Sequence, residues 1–136
     1  MKKSLHAVYA LLIIAIMSVS FASCEKDEGK LPNIAFKTGT GYTSADATVG
    51  KNAAVLIGIN ASKAEGKDVI TKFTITKSVN AAAATTVYTQ DVSNGDTFDY
   101  DYSLTTDSTA QTDKYTFTVV NKDGITNNVS LTLTVQ

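Results

Sequence analysis

From Asn33 onward apolar residues alternate with hydroxylated ones, the period of two that half-buried strands require. Ile34 and Phe36 mark a first short strand, Val55, Ile57 and Ile59 a second, and Phe73 and Ile75 with Thr74 and Thr76 a third. Val87-Tyr88 reads as a short, edge-like strand. Phe98, Tyr100 and Tyr102 then alternate with Asp99 and Asp101, Tyr115, Phe117 and Val119 with Thr116 and Thr118, and Val129, Leu131, Leu133 and Val135 with Ser130, Thr132 and Thr134. No useful window repeats with a helical period. Ala81 to Ala84 are good helix formers, but four residues do not sustain the nucleation cost of a helix, so they read as a loop or a single turn.

Asn121-Lys122-Asp123-Gly124 separates the last two patterns, and Asp-Gly between alternating runs is a strong hairpin signal because glycine accepts a positive φ. Those two strands are expected to be antiparallel neighbours. Asn94-Gly95 and Ala64-Glu65-Gly66-Lys67 mark further turns. About seven strands with frequent turns predict an all-β fold, an antiparallel sandwich rather than a parallel sheet.

The beginning of the chain breaks this pattern. Lys2 and Lys3 precede the apolar stretch Ala7 to Val19, whose thirteen residues are fewer than the roughly 20 that cross a hydrocarbon core as a helix. This is the layout of a secretory signal. Phe21-Ala22-Ser23-Cys24 resembles the lipobox of bacterial lipoproteins, with Phe21 where most members carry leucine. The resemblance implies removal of residues 1–23, a diacylglyceryl thioether on Cys24 and a second, palmitate-type acylation of the new α-amine. Two or more buried chains give lasting attachment, where one is marginal. The partner implied is the membrane itself.

Residues 24–32 then read as a flexible charged tether, Glu25-Lys26-Asp27-Glu28-Gly29-Lys30 having no apolar side chain. A lysine among acids after the cysteine resembles the surface-export signal of Bacteroidota lipoproteins. It implies the outer leaflet of the outer membrane and the cell surface, against the alternative of a periplasm-facing anchor.

Charge narrows the partners. With Lys2 and Lys3 removed, ten lysines stand against thirteen acids, and there is no arginine. A weakly acidic domain without arginine lacks the footprint of a nucleic-acid binder. Cys24 is the single cysteine, so no disulfide forms within the chain and residues 33–136 must be held by a packed core.

Asp113-Lys114-Tyr115-Thr116-Phe117 resembles the tyrosine-corner segment of immunoglobulin domains, a likeness that extends over Asn33 to Gln136. It implies an immunoglobulin-like β-sandwich in which Phe117 replaces the second disulfide cysteine, Ile57 its partner and Phe73 the core tryptophan.

The inventory of reactive groups is short. His6 is the one histidine and leaves with the leader, and Cys24 is consumed by acylation, so histidine- and thiol-dependent catalysis is excluded and the chain is expected not to be an enzyme. Paired carboxylates remain, but Asp99 and Asp101 alternate with aromatics and belong on a solvent face. Asp96, Asp99 and Asp101 near one turn offer oxygens for calcium, without the spacing of a calcium loop. No other cofactor is expected. Tyr42, after Gly39-Thr40-Gly41, and Tyr88 are the candidate exposed platforms for a sugar ring. Asp107-Ser108-Thr109 resembles the O-glycosylation sequon of exported Bacteroidota proteins, which implies a glycan on Ser108. The reading is a lipid-anchored, non-catalytic binding or adhesion module that takes a protein partner through its loops or a sheet edge. A glycan-binding accessory of a polysaccharide-uptake system and a structural subunit of a surface assembly are the alternatives.

Overall fold

The computed structural model describes residues 29–136, and Cys24 with the leader lies outside them. Eight strands follow one another: β1 Asn33–Phe36, β2 Ala47–Val49, β3 Ala54–Ser62, β4 Ile70–Val79, β5 Thr85–Gly95, β6 Thr97–Thr105, β7 Gln111–Asn121 and β8 Thr126–Val135. They form a three-stranded sheet in the order β1-β3-β6 and a five-stranded sheet in the order β2-β8-β7-β4-β5.

The alternation seen in the sequence becomes the division between core and solvent. Val55, Ile57 and Ile59 of β3, Phe73 and Ile75 of β4, Phe117 and Val119 of β7 and Leu131, Leu133 and Val135 of β8 are all buried between the sheets. Each such side chain contributes about 1.5–3 kcal/mol by leaving water. The rings interlock across the gap, with Phe73 centred 4.9 Å from Phe98 and 5.2 Å from Tyr100, and Phe36 set edge-on to Phe117 at 5.8 Å. Ile57, Phe73 and Phe117, the trio assigned to the immunoglobulin disulfide and tryptophan positions, have no exposed surface.

The hairpin expectation holds. β7 and β8 pair antiparallel from Gln111↔Val135 to Val120↔Thr126, and Gly124 takes φ 80°. Asn121 is buried within the turn, where its Oδ1 accepts the N–H groups of Asp123 and Ile125. At the opposite end Asn80 and Ala81, both at positive φ, turn the chain between β4 and β5, closed by the Ala82 N–H on the Val79 carbonyl.

Three features depart from the sequence reading. There are eight strands, because β2 pairs in parallel with β8 over Ala47↔Leu133 to Val49↔Val135. The five-stranded sheet is therefore of mixed direction, and the three-stranded one is antiparallel throughout. Secondly, the strand expected at Val87-Tyr88 runs for eleven residues, and its register against β4 shifts between Ile70 and Lys72 and again between Ile75 and Thr76. Such irregularities bend an edge strand. Past them β5 meets Gly95 and Asp96, where the chain leaves the five-stranded sheet and enters β6 of the other. The Ile70 backbone lies so close to Gly95 that an added Cβ would stand 2.8 Å from its carbonyl carbon.

Thirdly, the stretch expected to be tether through residue 32 is tied to the sandwich at its end. The Lys30 N–H donates to Asp68 Oδ2 at 2.9 Å, Asn121 Nδ2 donates to the Lys30 carbonyl at 3.2 Å, and Asn127 Nδ2 donates to the Pro32 carbonyl at 2.9 Å. Pro32 is buried. Asp68 is fully buried, with Lys122 Nζ 3.9 Å from its second oxygen.

Candidate functional site

The outward face of the three-stranded sheet gathers several of the sequence candidates. Strand periodicity sends Phe98, Tyr100, Tyr102 and Leu104 of β6 inward and leaves Thr97, Asp99, Asp101, Ser103 and Thr105 outward and exposed. Asp101 lies opposite Gly58 and Asp99 opposite Asn60.

Gly58 is the hollow that organises this face. A methyl there would come within 2.6 Å of both Lys37 Cδ and Tyr42 Cε1, so its absence lets both side chains lie flat on β3. Lys37 follows β1, and its backbone N–H donates to the Gly58 carbonyl at 2.8 Å; the Thr43 N–H donates to Leu56 O at 2.8 Å and holds the loop that delivers Tyr42. Both side chains converge on Asp101. Lys37 Nζ donates to Oδ1 at 2.9 Å and the Tyr42 hydroxyl to Oδ2 at 3.2 Å, with the ammonium 5.9 Å from the tyrosine ring centre. The lysine hydrogen bond, helped by the phenol, holds the Asp101 carboxyl below the usual carboxylate range, and Asp101 in turn raises Lys37.

Toward the end where β1 begins, the same face carries a groove of about 640 Å³ lined by Asn33, Asn60, Ser62, Thr97, Asp99 and Asn127 among others. Its walls combine amides, hydroxyls and one carboxylate with the apolar Ile34, Ala35 and Ala61. Asn33 Nδ2 donates to Ser62 Oγ at 3.2 Å, and the Asn60 amide, oriented with its nitrogen toward Asp99, donates to Oδ1 at 2.9 Å. Such a lining offers directional hydrogen bonds to a hydroxylated or peptide ligand and supplies no nucleophile with a paired base.

The structure separates the remaining candidates. Asp96 sits at the β5–β6 corner, ion-paired with Lys63 Nζ at 2.6 Å, while Asp99 and Asp101 lie on the outer face. Among the described residues no group of three or more His, Cys, Asp or Glu side chains is placed to hold a metal ion. Tyr88 is half-buried, not an exposed platform. It points into the sandwich, 4.8 Å from the Tyr100 ring centre, and its hydroxyl donates to Gln90 Oε1 at 2.7 Å. Tyr42 is half-buried too, and its loop lays it on the outer face of the other sheet. Ser108 is exposed in the β6–β7 loop, at the end of the sandwich away from Lys30.

Two groups without a sequence signal proved structural. Asp113 is buried, accepting from Gln111 Nε2 at 2.8 Å and facing Lys77 Nζ at 2.9 Å. Burial pulls Lys77 down, but the bond to Asp113 and the neighbouring Tyr115 hydroxyl outweigh it, and its pKa ends raised. Thr106 is buried as well, its hydroxyl accepting the Ala53 N–H at 2.8 Å and donating to Gly50 O at 2.7 Å. Alternation could not flag either, since both are polar residues at inward positions.

No protein-family model and no curated protein sequence matches this chain. Among solved structures it is similar to the superoxide reductase (neelaredoxin) from Ignicoccus hospitalis, with a TM-score of 0.52 at 9% identity over 85% of this chain and 90% of that one. It also resembles the CARDB domain of the PF1109 protein from Pyrococcus furiosus in complex with di-metal ions, with a TM-score of 0.48 at 14% identity over 79% of this chain and 91% of that one. At such identity the first likeness is one of fold alone, and the second is weaker. What the chain shares with the reductase is the two-sheet architecture of an all-β domain.

Proposed function

We propose that this chain is a lipid-anchored, surface-displayed lipoprotein whose immunoglobulin-like sandwich works as a non-catalytic binding or adhesion module. The observation that carries the binding reading is the outer face of β1-β3-β6, where Lys37, Tyr42 and Asp101 stand beside a groove with amide, hydroxyl and carboxylate groups in its lining. The domain spends two residues of the β1–β2 loop and one of β6 on a surface polar cluster that adds little to its core. Exposed ion pairs of this kind contribute about 0–1 kcal/mol to stability, so surface recognition is the better account of the arrangement.

The anchor rests on the lipobox resemblance at Phe21 to Cys24 and on the secretory leader. Ties from Asp68, Asn121 and Asn127 to residues 30 and 32 support a short stand-off, since about five residues separate Cys24 from the first tied positions and extended chain spans about 3.5 Å per residue. The immunoglobulin-like reading is supported by the facing strand orders and by the buried trio Ile57, Phe73 and Phe117.

Protease shaving of intact host cells, with Cys24→Ala as control, tests anchor and leaflet together. Wild-type chain cleaved at the surface and a Cys24→Ala chain released from membranes is the expected pair of results; wild-type chain protected until cells are lysed refutes surface display. A glycan-binding role is the second reading, favoured by the hydrogen-bonding lining of the groove. A glycan array on the lipid-free chain decides it: retention lost in Asn60→Ala and Asp99→Ala supports a saccharide ligand, and an array without signal leaves a protein partner. The Ser108 modification is read by intact mass on protein from the native host, where the absence of any added hexose removes it.

A further inference from the structure

We infer that the free edge of β6 is a strand-addition site for an extended segment of a partner protein whose residues alternate between apolar and basic. This rests on the binding-module reading and names the partner's chemistry. β6 ends its sheet, and its register with β3 runs unbroken from Ala54↔Thr105 to Ser62↔Thr97. The bonds that flank this ladder, Thr106 N–H to Ala53 O and Lys63 N–H to Asp96 O, fix its phase. Even-numbered residues of β6 therefore exchange bonds with β3, and Thr97, Asp99, Asp101, Ser103 and Thr105 direct their N–H and C=O groups away from it. All five are exposed. Nine residues without a lysine, a proline or a bulge make a regular template, guarded only by the charges of Asp99 and Asp101. The opposite edge of the same flank is closed by a bulge-like irregularity, since β5 is interrupted twice along its register.

The missing neighbour has a place to go. A three-stranded sheet faces a five-stranded one, and Tyr100 of β6 already reaches Tyr88 of β5, so among the described residues no strand beyond β6 covers β5. Tyr100, Tyr102, Leu104 and Tyr88 are accordingly only half-buried, whereas the inward residues of β3 are fully so. A strand added to β6 would set alternate side chains over these four, which selects apolar residues, and the others on the outer face beside Asp99, which selects lysine or arginine there, Asp101 being already engaged by Lys37. β5 and β6 carry three exposed acids and, apart from the corner residue Asp96, no other charge. A second copy of this chain fits less well, because two β6 edges paired through Tyr100 put Asp99 opposite Asp101 and like charges oppose.

The test uses the full chain extracted from host membranes in detergent, with three nonapeptides as probes: alternating Val-Lys, alternating Val-Glu, and the Val-Lys composition in blocks. Binding by fluorescence anisotropy is paired with hydrogen exchange. The expected result is saturable binding of alternating Val-Lys alone, with slowed exchange in 97–105. Ser103→Pro removes one outward N–H while leaving the bonds to β3 and should weaken binding at least tenfold. Asp99→Lys should do so without touching any edge amide, and it keeps the test decisive if the proline variant fails to fold. Equal binding of all three peptides, protection confined to other segments, or no binding overturns the inference. The binding-module reading fails separately, when neither array nor capture gives a ligand whose retention depends on the outer-face residues; a ligand that does so with 97–105 unprotected sinks the strand-addition site alone.

Discussion

Replacing Gly95 by alanine should be far more damaging than any other glycine-to-alanine change in a turn of this domain. The added Cβ would fall onto the Ile70 carbonyl oxygen and lie 2.8 Å from its carbon and 2.9 Å from Ile70 Cβ. Ordinary carbon contacts are about 3.5–4.0 Å, so two backbones must separate by most of an ångström. Neither has room: Ile70 is fully buried and is paired at once with Gly95 and with Asn121. Overpacking of this kind costs about 1–3 kcal/mol, and with loss of ladder contacts at the corner we expect about 3 kcal/mol of destabilisation. Gly66 is the control, because nothing lies within 4 Å of the place its added methyl would take and its φ is not positive. Gly66→Ala should be neutral or stabilising by up to about 1 kcal/mol, since both substitutions restrict the unfolded chain alike. Urea and thermal melts of the two variants read the difference, expected as a fall of about 10–15 °C in Tm for Gly95→Ala. Melting of Gly95→Ala within about 1 kcal/mol of Gly66→Ala, with an unchanged denaturant slope, would refute the steric reasoning.

Lys77→Met should cost about 2–4 kcal/mol, because it strands the buried Asp113 carboxylate, and the double variant Lys77→Met/Asp113→Leu should recover most of it in the same melts. Stability should also fall steeply in alkali. Burial and the neighbouring Tyr88 hydroxyl push Tyr100 up to about 12, and burial raises Tyr115 as well. A raised folded-state pKa makes the native form hold its proton, so this contribution is intact below the unfolded value of about 10 and is lost as pH climbs toward 12. Tm measured from pH 8 to 12 should show the decline, and Tyr100→Phe should flatten part of it; an unchanged profile in that variant would assign the decline elsewhere. Gly58→Ala should lift Lys37 and Tyr42 off the sheet, seen by NMR as an Asp101 carboxyl titrating closer to its ordinary value. Lys37→Met should move it the same way, and an unmoved titration in both would show that the two side chains do not act on Asp101.

Of the eight strands described, six were legible from their alternation and β5 only as a short strand at Val87-Tyr88. β2 was not, since Ala47-Thr48-Val49 spans one and a half repeats and its partner Leu133–Val135 lies far along the chain. Asp68 directly follows the turn read at Ala64-Glu65-Gly66-Lys67, and its burial comes with residues around Lys30 folding over it from the start of the domain. Tyr88 looked exposed because its strand looked short; the full length of β5 turns the ring toward Tyr100. At the site, the outward acids of β6 followed from alternation. The cluster around Asp101 did not, because Lys37, Tyr42 and Gly58 meet only when the loop after β1 lies across β3, and the clue available was a glycine inside the apolar run Ala54 to Ile59.

The ties at Lys30 and Pro32 have a mechanical meaning for a protein held at one end and gripped elsewhere. Tension between an anchor upstream of residue 29 and a partner on the sandwich would pull β1 lengthwise against β3, so its ladder from Asn33↔Ser62 to Phe36↔Ile59 is loaded in shear. Bonds loaded that way share the force and yield together, where peeling would break them one at a time. Before the ladder feels anything, the side-chain bonds of Asp68, Asn121 and Asn127 must let go. In an anchored chain of the kind proposed, these three side chains would be the fastening that yields first where the load enters.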